Sequence, residues 1–177
     1  MGLFSIKNSP KEYAKVIDWS PMWDAGAPSP QVFSNGHRAF LIYYLDTPDP
    51  DWDGTYTRMI DPSSDEIFDL ALVEFKGCHS YRFGIVNDEA SQGHPLAGRG
   101  LETYAAHIVQ NSQWIEELKT IHKVHPYFRE ENWHDYKHYL FFFHDDMLEI
   151  VAKEYKIETF KSTFSMLGID VVKRLNV

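Results

Sequence analysis

Leu70–Gly100, LALVEFKGCHSYRFGIVNDEASQGHPLAGRG, decides the fold, because it joins the chain's longest strand-like alternation to its densest group of polar side chains. From Ala71 to Ile85 the odd positions are Ala71, Val73, Phe75, Gly77, His79, Tyr81, Phe83 and Ile85, while the even ones include Glu74, Lys76, Cys78, Ser80 and Arg82. Side chains alternate between the two faces of a strand, so the pattern predicts one strand with one buried face, bent at Gly77 where no side chain resists a bulge. Asn87–Gly100 then reads as a loop punctuated by Gly93, Pro95, Gly98 and Gly100.

Downstream, Leu101–Gln110 fits a helix through Leu101, Tyr104, Ala105 and Ile108, and equally fits a strand. Asn111-Ser112 can cap free first-turn amides, Glu116 and Glu117 suit the positive end of a helix dipole, and His125-Pro126 stops the chain, which predicts a helix near 113–124. One face carries Trp114, Ile115, Leu118, Ile121 and His122. Tyr139–Phe143 reads as a strand, Asp145-Asp146 as a turn, and Met147–Phe160 as a return strand. The apolar side of that return strand switches near Ala152, as in a strand leaving one sheet surface for another. Phe164–Val177 is assigned to no element.

Upstream, Asn35-Gly36 tolerates the positive φ values of a tight turn, and Ala39–Tyr44 follows as a buried strand. Thr55–Ile60 is a short β-like run and Asp61-Pro62-Ser63-Ser64 a turn. Residues 1–31, with Pro10, Pro21, Pro28, Pro30, Trp19 and Trp23, read as an irregular arm laid over the core, with room for a short helix at Lys11–Trp19. The expectation is a single domain over residues 1–177. Its class is α+β and β-rich: a twisted antiparallel sheet, arranged as a sandwich or partly closed barrel, with one main helix.

A length of 177 residues suits one core, and 44% hydrophobic with 24% charged residues is an ordinary globular composition. The net charge of −9 argues against nucleic acid as partner, since phosphate binding needs clustered Lys and Arg. From Asp46 to Asp69 eight carboxylates stand against Arg58 alone, a net of −7. That run is either a solvated loop or a surface that meets a basic partner. Cys78 is the single cysteine, no run approaches the roughly 20 apolar residues that span a bilayer, and MGLFSIKNSPKEY carries neither a signal-peptide pattern nor a myristoylation signal. A cytoplasmic location is expected.

Four groups could carry chemistry. Cys78 beside His79 suggests a thiol–imidazole pair, but strand neighbours point to opposite faces, so His79 is expected to be a hydrogen-bonded core histidine. The loop residues Asp88, Glu89, His94 and Arg99 offer a carboxylate beside an imidazole for acid–base work and a guanidinium to clamp an anion. They equally suit a rigid loop that caps its own backbone. His134, His138 and His144 are candidate metal ligands, zinc being the ion considered, because His134 and His138 would share one helical face. Their spacing lacks the Glu of H-E-x-x-H. His122 and His125 are a weaker version of the same idea.

The runs Val73–Pro126 and Lys137–Glu158, with FSNGHRAFLIYY (Phe33–Tyr44) upstream, resemble a widespread bacterial family of conserved proteins. The resemblance covers most of Asp18–Phe160 and rests on NDEA-x-x-GHPL, NS-x-WI-x-E and FHD. It implies a bacterial, cytoplasmic origin and carries no activity, cofactor or catalytic residue. The functional expectation is therefore a non-enzymatic binding protein with a basic protein partner, for example a toxin that it neutralises as an immunity protein does. The alternative is an enzyme or metal-binding protein using the Asp88–Arg99 loop or the three-histidine set. Ligand identity and oligomeric state are left open.

Overall fold

The computed structural model describes residues 10–48, 60–84 and 86–176. Nine strands lie among them: β1 (Tyr13–Val16), β2 (Gln31–Ser34), β3 (Ala39–Tyr44), β4 (Phe68–Lys76), β5 (Ser80–Gly84), β6 (Ala105–Gln110), β7 (Lys137–Phe142), β8 (Met147–Ala152) and β9 (Glu154–Ser162). Two α-helices accompany them, α1 (Gln113–His122) and α2 (Phe164–Leu175). The strands form two antiparallel sheets, one in the order β1-β6-β7-β8-β5 and the other β2-β3-β4-β9. The architecture is an α+β, β-rich sandwich, not a closed barrel.

The core follows from strand alternation. Leu41, Tyr43, Val73 and Phe75 of the four-stranded sheet face Tyr139, Phe141, Leu148 and Ile150 of the five-stranded sheet, forming one inter-sheet layer. The other face of β3 and β4, with Phe40, Ile42, Leu70 and Leu72, is covered by Phe164, Leu167 and Val171 of α2. Buried on both faces, β3 and β4 show continuous apolar runs where a half-buried strand would alternate. On the outer face of the five-stranded sheet a third layer joins Val109, Leu140, Phe142 and Met147 to Leu96, with Val86 and Leu101 against it. The 86–101 segment is thus a cover for that sheet.

Several expectations change here. The 71–85 alternation is two strands in different sheets. β4 ends at Lys76, Gly77 turns the chain at φ +60, and β5 begins in the other sheet. A second crossing occurs between Ala152 and Glu154, where the apolar side was expected to switch. The two corners are bonded to each other: Lys153 N–H donates to Lys76 O at 3.1 Å, and His79 N–H to Val151 O at 2.8 Å. Both crossings therefore close the same edge of the sandwich.

The described part of the N-terminal segment is irregular outside one short strand and one isolated bridge. Tyr13–Val16 pairs with β6, so no helix forms at Lys11–Trp19, and Trp19 and Trp23 enter the inter-sheet core at 5% and 2% exposure. Trp19 Nε1–H donates to the Tyr43 hydroxyl at 2.9 Å, so the indole's one polar group is satisfied inside. A hairpin forms at Asn35-Gly36, but four residues, 35–38, separate Ser34 from its partner Ala39 and of these only Gly36 takes a positive φ, at +89, so the turn is wider than the tight one expected. Residues 101–110 resolve as strand β6, preceded by Tyr104 at φ +57. A second main helix, α2, occupies the C-terminal segment. The 55–59 part of the expected Thr55–Ile60 strand, the 49–59 part of the acidic run and the N-terminal residues 1–9 lie outside the described residues.

Candidate functional site

A connected set of polar residues lies on the outer face of the five-stranded sheet, where alternation places His107 on β6, His138 on β7, Glu149 on β8 and Arg82 on β5. Arg82 and Glu149 are register partners, with Nη1 3.6 Å from Oε2. Glu149 Oε1 lies 3.3 Å from His138 Nε2. His138, 2% exposed, meets Ser112 Oγ through Nδ1 at 2.9 Å. Ser112 is also the N-cap of α1, its oxygen accepting the Ile115 N–H at 3.2 Å. The hydroxyl keeps a second lone pair and its proton, so it can donate to Nδ1 or accept from Nδ1–H, according to the His138 tautomer. Glu149 Oε1 faces Nε2 without the in-line approach of a hydrogen bond.

Trp114, from the first turn of α1, roofs the group. Its ring packs edge-on against His138 at 5.1 Å, and the Arg82 guanidinium stacks 4.0 Å from its centroid. Burial alone would raise the Glu149 carboxyl, but the His138 contact, then the charges of His138, Arg82 and His94, outweigh it and hold the carboxyl below its usual range. His94 approaches from the covering segment. Burial lowers its pKa, while Glu149 and Glu12 pull the other way, and its Nδ1 accepts the Leu96 N–H at 3.1 Å. Fully buried His107 pins the same cover: its Nε2 accepts the Glu102 N–H at 3.1 Å while Nδ1 faces Leu140 O at 3.3 Å.

The four loop candidates do not form one site. Asp88 accepts a hydrogen bond from the Tyr104 hydroxyl and its N–H donates to His144 O at 3.0 Å. The Tyr104 bond is the main reason the Asp88 carboxyl lies below its usual range. Asn87 caps the 3-10 turn 88–93, as the structural reading of the loop expected. Glu89 is exposed, and Arg99 is exposed with its carbonyl accepting the Ala14 N–H at 2.8 Å. Asp88 thus belongs to a group with Tyr104 and His144, and His94 to the group around Glu149.

The three candidate metal ligands are also apart. His134 is exposed at the end of a 3-10 turn, His138 opens the buried part of β7, and His144 sits in the β7–β8 turn with Nδ1 2.9 Å from Asp145. No helix runs through 134–138, so the i, i+4 stacking that motivated the set is not available. Among the described residues no group of three or more His, Cys, Asp or Glu is placed to hold a metal ion. Cys78 faces the inter-sheet core, its thiol pushed up to about 11 by burial. His79 points away from it, as expected, yet is not a core residue: Gly77 resets the alternation, and the ring is half-buried against His122 and Trp133. Arg82 and Glu149 carry no site reading in the sequence, and Ser112 and Trp114 read there only as a helix cap and a packed helix face. The available signal was an ionisable residue within each of two apolar strands, His138 after the leading Lys137 in KHYLFF and Glu149 in MLEIVA.

No family model, curated protein or solved structure matches the chain. Function must therefore be read from these groups and from surface charge. Among the described residues no helix is long and apolar enough to cross a membrane.

Proposed function

We propose that the protein is a non-catalytic binding protein whose acidic end meets a basic protein partner. One observation carries this reading: both described flanks of the acidic run converge at one end of the four-stranded sheet. Asp46 leaves β3 there, and Asp61, Asp65, Glu66 and Asp69 lead back into β4. Leu45 N–H donates to Asp69 O at 3.0 Å, and the Thr47 hydroxyl lies 3.4 Å from Asp69 Oδ2. Tyr44 is raised to about 12, first by burial and then by the charges of Asp61 and Glu66. Lys161 reaches Asp69 at 3.6 Å, and Ile67 stands 66% exposed among the carboxylates, an apolar contact inside a charged rim. A basic toxin-like protein is the partner chemistry this combination suits.

The test is affinity capture of basic proteins from a native lysate by the wild-type chain and by an Asp61→Lys/Asp65→Lys/Glu66→Lys variant. A partner retained by wild type, lost by the variant and released as salt rises is expected. Equal retention by both chains removes the reading.

A second reading, hydrolytic acid–base chemistry, rests on Ser112, His138 and Glu149 standing in a serine–imidazole–carboxylate row. The buried Ser112 oxygen already accepts the α1 amide, which favours a positioning role. Turnover of an activated ester that disappears in Ser112→Ala, with the fold retained, is the result that would establish it.

A further inference from the structure

The β4–β5 corner and the C-terminal end of α1 bring two imidazoles together from 43 residues apart in the chain: His79 Nε2 and His122 Nε2 are 3.1 Å apart. The rings meet nearly edge to face, at 76° and 4.8 Å between centroids. Trp133 packs on both, 4.8 Å from His79 and 5.5 Å from His122, and Tyr136 lies 5.7 Å from His79. Two zinc–nitrogen bonds of about 2.0–2.1 Å span that 3.1 Å separation at an angle of roughly 98°. This lies between square-planar and tetrahedral values, so an ion takes the place of the proton the two nitrogens now share once each ring has swung roughly 40° off the N···N line.

We propose that His79 and His122 form a two-imidazole site for a borderline divalent transition cation such as Zn2+ or Ni2+, with solvent completing its coordination. The site is distinct from the His134/His138/His144 set, which the fold separates. His122 is exposed, which leaves room for water ligands. His122 is the last residue of α1, so the negative end of the helix dipole faces the bound cation. Burial and the neighbouring ring both lower the His79 pKa, which keeps that imidazole neutral and able to coordinate at neutral pH. Zn2+ on Nε2 fixes the proton of His79 on Nδ1, an atom that is buried without a protein partner. Metal-bound histidines ordinarily donate that second N–H to an acceptor, so an affinity about micromolar is expected, some 10–100-fold below a fully supported site.

The experiment is calorimetric titration and thermal melting of the metal-stripped full chain with Zn2+ alone. One ion per chain and a rise in Tm on the order of 5 °C at saturation are expected. His122→Ala, on the exposed helix end, should weaken binding at least 10-fold, while His125→Ala and His134→Ala should leave it unchanged. His79→Ala should match His122→Ala if it folds, and His122→Ala decides the matter if it does not. Absence of a stoichiometric Zn2+ site in the wild-type chain, or wild-type affinity in His122→Ala, overturns the proposal.

Discussion

At Gly100 the backbone has φ +83, and a Cβ placed there would overlap the carbonyl oxygen of Ala14 in β1. The loop cover and the N-terminal strand meet at this residue, so Gly100→Ala is expected to cost about 2–3 kcal/mol through backbone strain and displacement of β1. Thermal melting checks it, and an unchanged Tm would mean that β1 is not seated as described. Glu149 gives a pH signature. Its folded-state pKa is depressed below the ordinary value of 4.5, so the stability it contributes is present above that value and is lost as pH falls through the folded-state value. Glu149→Gln is expected to cost about 2 kcal/mol at pH 7, with a difference from wild type that shrinks toward acid pH. Urea unfolding across pH 7 to 3 measures this. A constant difference would show that the carboxylate charge is not what His138 and Arg82 respond to.

Helix α2 is the element that sequence reading left unassigned, although its signals are present. Thr163 caps it by accepting the Met166 N–H at 3.1 Å, and Phe164, Leu167 and Val171 recur at helical spacing on its buried side. Met166, Ile169 and Val172 are exposed apolar residues on the same helix, and they blur the polar face by which an amphipathic helix is recognised. Thr163→Ala should cost about 1 kcal/mol and Leu167→Ala about 3 kcal/mol, read by denaturant unfolding. If both are silent, the helix does not cover the sheet. The Asn35-Gly36 hairpin, the Ser112-capped helix and the sheet change near Ala152 were legible because turn chemistry, capping and alternation are local. The crossing at Gly77 was hidden because β5 resumes an alternation after three residues that belong to neither strand, and sequence parity carries no record of the sheet to which a strand belongs. The site was less legible still. Arg82, Glu149, His138 and Ser112 meet only through cross-strand register, which is a property of pairing and not of spacing along the chain.

For the molecule as a whole, the sandwich has a covered outer face on each side: α2 on the four-stranded sheet, and the 86–101 segment on the five-stranded sheet. Three polar groups among the described residues bear on function: the Arg82–Glu149–His138–Ser112 network under its cover, the imidazole corner where both crossings meet, and the acidic end around Asp46 and Asp61–Asp69. Ordinary surface access favours the last as the place for a protein partner, because the network is roofed by Trp114 and its serine oxygen caps a helix. The most direct test is amide chemical-shift mapping of the isotope-labelled chain titrated with a basic protein retained in the salt-dependent capture experiment. Perturbations concentrated at Asp46–Pro48, Ile60–Leu70 and Lys161 are the expected result. Perturbations centred on His94, His138 and Glu149, with the acidic end unmoved, would contradict it.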